Sequence, residues 1–189
     1  MAKIALIVGS VRRDRQGIKV ARWMEEKLKS RNHTVFFIDP LKLELPLLDR
    51  MYKEMEDPSE QMKDLRSKIN DADGYVAVSP EYNHSTSSAM KNTLDYFLEE
   101  YYFKPSAIVS YSPGMFGGVN AAQQLRLIFA ELGASSIPSS FVVPRVHQAF
   151  GEDGKIVDEA YDKRVLKFLA EFECYIEALK DIRDKGTPY

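Results

Sequence analysis

The chain has 189 residues, with 26 Lys and Arg against 28 Asp and Glu for a formal charge of −2. Near-neutral charge, with cations spread along the chain, gives no long-range pull toward nucleic acid or anionic lipid. With 44% apolar residues and one cysteine, Cys174, the composition is that of a single globular domain over residues 1–189 that needs no disulfide.

In chain order, the first element is the apolar run Ile4 to Val8, read as a strand and stopped by Gly9-Ser10. It is too short for a signal peptide, and no window approaches the ~20 apolar residues of a membrane span; the expected location is the cytoplasm. Ile18, Ala21, Met24 and Leu28 then recur at helical spacing from Gly17, and Val35 to Ile38 forms a second strand. The stretch from Pro40 to Pro58, with Pro46 inside it, is the widest irregular one; a connection of that length is functional or an interface. Met62, Leu65 and Ile69 mark a second helix and Tyr75 to Val78 a third strand. Thr86 to Tyr101 reads as a helix with the stripe Met90, Leu94, Phe97. Its aromatics Tyr96, Phe97, Tyr101, Tyr102 and Phe103 exceed what one buried stripe holds, so the remainder is ordinary surface or a self-association face. Ala107 to Tyr111 is a fourth strand, Ala122 to Leu132 a helix, and Phe141 to Val143 a fifth strand. Tyr161, Val165, Phe168, Phe172, Ile176 and Leu179 define the longest helix, on which Cys174 is a small helix residue. The tail Asp181 to Tyr189 reads as a frayed end.

Five strands alternating with five helices predict an α/β three-layer sandwich, a five-stranded parallel sheet with helices on both faces. Right-handed crossovers leave few topologies, and the flavodoxin-like order 2-1-3-4-5 suits the count. In such sheets ligands sit outside the carboxyl ends of the strands, and in this order strands one, three and four are neighbours, so their loops converge.

Those three loops carry unusual chemistry. Gly9-Ser10-Val11-Arg12-Arg13-Asp14-Arg15-Gln16-Gly17 opens a helix, whose exposed N–H groups and dipole attract anions. Ser10 adds a hydroxyl, and Arg12 with Arg15 or Arg13 adds forked donors matched to phosphate. The spacing fits neither GxxxxGK[ST] nor GxGxxG; a solvated basic turn is the alternative. In Pro80-Glu81-Tyr82-Asn83-His84, Pro80 stiffens the backbone, Tyr82 offers a stacking face, with packing or a rim position as the alternative, and Asn83 can donate and accept at a ring edge. Glu81 is expected to accept near the following helix N-terminus. The third loop, Ser112-Pro113-Gly114-Met115-Phe116-Gly117-Gly118, has three glycines in its last five positions, which let backbone approach a ligand closely; a plain turn ending the strand is the alternative. One loop for a phosphate and two for a ring point to a bound mononucleotide. His33, His84 and His147 are isolated from one another and from any Cys pair, so no metal site is expected.

The chain resembles the NADPH-dependent FMN reductase family. The resemblance rests on Gly9-Ser10-x-Arg12, on Ser79-Pro80-Glu81-Tyr82-Asn83 followed by Lys91-Asn92-x-Leu94-Asp95, and on Ser110-Tyr111 with Gly117-Gly118 before Ala121-Ala122-x-Gln124-Leu125-Arg126. It implies non-covalent FMN, with NADPH or NADH as co-substrate, in a homodimer or homotetramer with flavin near the subunit interface. By position, Ser10, Arg12 and the turn through Arg15, Gln16, Gly17 and Ile18 would hold the phosphate. Pro80, Glu81, Tyr82 and Asn83 would border the isoalloxazine, and Ser112 with Gly114, Gly117 and Gly118 would close the other side. No side chain is expected to act as acid or base, because flavin carries the electron chemistry. The implied reaction is ping-pong hydride transfer from NAD(P)H to a quinone, free flavin, azo compound or metal oxyanion. A one-electron flavodoxin-type carrier, which is typically strongly acidic, and a non-catalytic flavin-binding sensor are the rival readings. Two departures are visible: Ser112 to Phe116 replaces a tighter turn of many relatives, and Asn120 stands where relatives often carry Arg.

Overall fold

The structure, a computed structural model, describes residues 1–151 and 154–188. At its centre is a parallel sheet of β1 (Lys3–Val8), β2 (Thr34–Ile38), β3 (Gly74–Pro80), β4 (Ser106–Tyr111) and β5 (Ser136–Val143), in the order β2-β1-β3-β4-β5. This is the order expected from the sequence. Every residue of β3 and β4 is buried, as strands covered on both faces require. Alternation along the strands sends Leu6, Val76, Val78 and Val109 to one face, against α1 (Gly17–Ser30) and α7 (Ala160–Lys185). Ala5, Ile7, Tyr75, Ala77 and Ile108 go to the other, against α3 (Glu60–Asp71), α4 (Ser88–Asp95) and α5 (Val119–Glu131). Val8 pairs with Val78, and Pro80 with Tyr111, so the three loops leave one rim.

Three expectations need correction. The helix expected over Thr86 to Tyr101 is shorter: α4 starts after Ser87, whose hydroxyl accepts the Met90 N–H at 3.1 Å, and ends at Asp95. The stripe continues past it in sequence, but the Tyr96 carbonyl is taken by the Tyr52 N–H at 2.8 Å and Leu98 leaves the helical region (φ −140°, ψ −70°). A 3₁₀ turn at Glu99–Tyr101 follows. Tyr96, Phe97 and Tyr101 are core, leaving Tyr102 and Phe103 half-buried. The tail is not frayed through its start: α7 runs to Lys185, and Arg183 donates to the Phe103 carbonyl at 2.9 Å. Tyr189 lies outside the described residues. The irregular stretch after β2 holds a short helix, α2 (Pro40–Leu43), and a 3₁₀ turn at Tyr52–Glu54, with Leu47 82% exposed between them. A short helix α6 (Val146–Ala149) follows β5.

Candidate functional site

The first loop is fixed by a buried ion pair. Arg15 reaches back to the Ser10 carbonyl at 2.7 Å and meets the Asp39 carboxylate at two points, each 2.6 Å. Both side chains are nearly fully buried. Asp39 leaves the end of β2 and also caps α2, accepting the Leu41 N–H at 3.2 Å. Burial pushes the Asp39 carboxyl up, but the Arg15 bonds and charge bring it below the ordinary range. The same bond raises the Arg15 guanidinium further above its ordinary value. This corrects the sequence-based role of the Arg15 side chain: its fork is spent on Asp39 and the loop's own backbone. Arg12 and Arg13, both exposed, are the guanidinia left to face solvent.

Beyond Arg15 the chain enters α1 at Gly17, and the first turn contains no acidic residue. Among the described residues, the N–H groups of Gln16, Gly17 and Ile18 have no acceptor, as the start of a helix leaves them. Gly17 is required there: an added Cβ would lie 1.9 Å from the Tyr111 hydroxyl. Tyr111, the last residue of β4, thus packs against the start of α1; burial, then the neighbouring Tyr82, pushes its phenol well above the ordinary value.

The second loop touches the first. The Tyr82 hydroxyl lies 3.2 Å from Ser10 Oγ, and the Arg12 guanidinium sits 5.9 Å from the Tyr82 ring centroid. Reciprocal bonds between Tyr82 and Ser85 (2.9 and 3.0 Å) close a two-residue turn, with Asn83 and His84 at φ 51° and 63°. Both central residues in the left-handed region define a type I′ turn, where Asn is favoured. The Asn83 side chain is exposed, with no partner among the described residues. Ser79 Oγ to Thr86 Oγ1 at 2.7 Å pins the base of this loop, while Ser87 Oγ donates to the Gly9 carbonyl and ties it to the first.

Glu81 does not serve the helix that follows it. Its carboxylate accepts the N–H groups of Asn120 (2.9 Å) and Ala121 (3.3 Å) and the Asn120 side-chain amide (3.1 Å), at the start of α5. Burial raises its pKa, and these three donors more than reverse that, holding the carboxyl below its usual range. A carboxylate at a helix N-terminus is also favoured by the dipole. The second and third loops are thereby locked together, and the Glu81 N–H adds a bond to the Tyr111 carbonyl at 3.1 Å. Gly118 begins α5 at φ 86°, with Tyr111 O 3.0 Å from where a Cβ would stand.

The structure brings Ser10, Arg12, Gln16, Gly17, Ile18, Tyr82 and Asn83 to one rim, with Pro80 at the end of β3 beneath them. Ser112, Gly114 and Gly117 lean instead toward β5: the Gly114 carbonyl accepts the Arg145 N–H at 3.0 Å, and a Gly117 Cβ would meet Val142 at 2.4 Å. The donor set suits FMN: two solvent-facing guanidinia, a hydroxyl and an open helix start for a phosphate, then an aromatic and an exposed amide for a planar ring. Under the third loop, Ser110 Oγ is buried without a partner among the described residues.

Sequence reasoning missed Asp39, and marked Tyr111 and Asn120 only as motif positions, without the roles described above. Asp39-Pro40 is a readable helix-start signal, but nothing local announces its pairing with Arg15. A separate cavity of about 720 Å³, lined by Met1, Arg31, His33, Asp73, Glu173 and Lys180, lies at the opposite sheet end. Its Arg31–Glu173–His33 contacts are a self-satisfied network. No helix among the described residues is long and apolar enough to cross a membrane.

Comparison with known proteins bears on the family and the fold. The sequence profile of the family described as NADPH-dependent FMN reductase matches residues 2–148. An NAD(P)H-dependent FMN reductase of a Nectria species is 40% identical over 134 residues, which span 66% of this chain and 66% of that protein. A quinone reductase of Pseudomonas putida is 32% identical over 167 residues, 82% of this chain and 85% of its own length. Among solved structures, FerB, a flavoenzyme NAD(P)H:(acceptor) oxidoreductase from Paracoccus denitrificans, superposes with a TM-score of 0.78 at 25% identity, covering 94% of this chain and 98% of FerB.

Proposed function

Because the chain belongs to the NADPH-dependent FMN reductase family, we propose that it is an FMN-dependent oxidoreductase carrying hydride from NAD(P)H to a small oxidised acceptor. The observation that supports this best is the contact between loops, Ser10 Oγ to Tyr82 hydroxyl at 3.2 Å, which joins a phosphate end to a ring end. Ser10, Arg12, Arg13 and the N–H groups of Gln16 to Ile18 would hold the phosphate; Tyr82 and Asn83 would border the ring. Glu81 acts at one remove, by aligning the third loop through Asn120 and Ala121. The backbone at Gly118, where α5 begins, would close the ring's far side and offer amide dipoles where negative charge would develop.

When bound, FMN would supply two-electron hydride chemistry between NAD(P)H and an acceptor, which we read as a ping-pong exchange of the two at one site. With a quinone acceptor, one hydride and one solvent proton give the quinol, and NAD(P)⁺ leaves. The curated relatives include quinone reductases and an azoreductase, so quinones lead the acceptor classes, followed by azo compounds, free flavin and metal oxyanions. The net charge of −2 favours this over a strongly acidic one-electron carrier. The protein works in the cytoplasm as a homodimer or homotetramer. Support for self-association comes from exposed Val11, Leu41 and Leu47 around a cavity of about 370 Å³ beside the first loop. The test is anaerobic addition of NADPH or NADH to the FMN-loaded protein: the visible flavin absorbance should bleach and return with a quinone. No bleaching by either nicotinamide rejects the proposal.

A further inference from the structure

Between Ser112 and Gly118 the third loop makes a turn whose Gly117 N–H points to the Gly114 carbonyl at 3.4 Å. Met115 and Phe116 occupy its two corners and are 66% and 72% exposed. The turn is not loose. The Arg145 N–H holds the Gly114 carbonyl at 3.0 Å, and the Val146 N–H holds the Ser112 carbonyl at 3.1 Å. To make that clamp Arg145 sits at φ 45° and ψ 50°, a left-handed backbone that side-chain-bearing residues seldom adopt. Strain is therefore maintained to fix a turn that presents a thioether and a phenyl ring to water.

The turn runs directly into Gly117 and Gly118, and Glu81 fastens the next residues, Asn120 and Ala121, to the ring loop. We propose that Met115 and Phe116 form an apolar lip beside the ring, which selects acceptors carrying an apolar ring substituent, alkyl-substituted quinones foremost. The inference rests on the flavin-dependent reading above. A second protein chain is a poor occupant. Val119, 39% exposed, extends the patch, and exposed Gln123, one turn further along the same face of α5, separates it from the next exposed apolar side chain, Leu127. A stable interface needs roughly 800 Å² per partner, whereas three side chains match one ring and its substituent. The guanidinium of Arg145 is exposed at the base of the lip, so a sulfonated azo dye is the rival ligand.

The test uses the FMN-loaded full chain and the variants Met115→Ser and Phe116→Ser. First, an alkyl-naphthoquinone is titrated into the oxidised protein and its Kd read from quenching of flavin fluorescence. Phe116→Ser should raise that Kd roughly tenfold, the scale of a lost apolar contact, while the Kd of FMN changes by less than about twofold. Second, the ratio of kcat/KM for the alkyl-naphthoquinone to that for unsubstituted benzoquinone should fall by a similar factor. An unchanged naphthoquinone Kd, an equal loss across acceptors, or a loss confined to the azo dye overturns the lip. So does conversion of an oligomer to monomer by Phe116→Ser in sedimentation, which gives the patch to a second copy. If NAD(P)H fails to bleach the wild type, the oxidoreductase reading falls alone, because the Kd measurement needs no turnover.

Discussion

Replacing Glu81 with alanine separates the ring loop from the start of α5 without touching the phosphate end. The wild-type carboxylate accepts three N–H bonds at 2.9, 3.1 and 3.3 Å. Bonds to a charged group contribute about 1.5–3 kcal/mol each when buried. Glu81 is half-buried, and water can replace it on the freed donors, so roughly 0.5–1 kcal/mol each is appropriate. The expected loss is about 2 kcal/mol in the flavin-free protein, the size of a strong helix cap. Glu81→Gln keeps an acceptor oxygen and loses the charge, and should sit near halfway. Urea unfolding at neutral pH measures both. FMN affinity should weaken roughly tenfold in Glu81→Ala, since realigning the third loop then draws on binding energy. The pH dependence has a definite sign. The folded carboxyl lies below its ordinary 4.5, so its contribution is complete above that value and disappears as pH falls through the lower folded one. The gap between wild type and Glu81→Ala must therefore close in acid. An unchanged urea midpoint, or a gap that widens as pH drops, would refute the reasoning.

Three further outcomes are expected. Asp39→Asn strands the Arg15 guanidinium in a buried site and should cost about 3–5 kcal/mol in urea unfolding. Arg12→Ala should weaken FMN roughly tenfold but leave riboflavin affinity unchanged, a phosphate-specific loss that shrinks with added salt in fluorescence titrations. Gly17→Ala drives a Cβ to within 1.9 Å of the buried Tyr111 hydroxyl, and overpacking of this kind should lower stability by about 1–3 kcal/mol. It should weaken FMN as well, because the displaced residue opens α1.

The strands were legible because β1, β3 and β4 are apolar on both faces, a pattern that only a doubly covered sheet explains. Crossover handedness left few orders, and the one that suits five strands sets the three loops on one rim. What remained hidden was long-range pairing. Three arginines within four positions, Arg12, Arg13 and Arg15, look alike in sequence; Asp39, on the neighbouring strand's exit, decides which one is consumed. Glu81 likewise points by proximity to α4, yet the sheet sets its strand end beside that of β4, and the start of α5 is within reach. The early end of α4 has the same origin. Met90, Leu94 and Phe97 continue a helical period, but the Tyr96 carbonyl finds Tyr52 outside the helix.

The buried pair also separates two accounts of how the first loop binds phosphate. If net charge governed, removing Asp39 would tighten FMN, because a negative group close to the phosphate end would be gone. The geometry argues the opposite. Arg15 holds the Ser10 carbonyl at 2.7 Å only because Asp39 fixes its fork, and that bond sets where Ser10 Oγ and the following N–H groups point. Charge deep in the pair is already neutralised, so its electrostatic effect on a phosphate is small, whereas disorder in the loop would have to be reversed on binding. Asp39→Asn should accordingly weaken FMN more than riboflavin, and by at least as much as Arg12→Ala. Tighter FMN binding by Asp39→Asn would mean that charge, and not the prepared shape of the loop, sets the affinity.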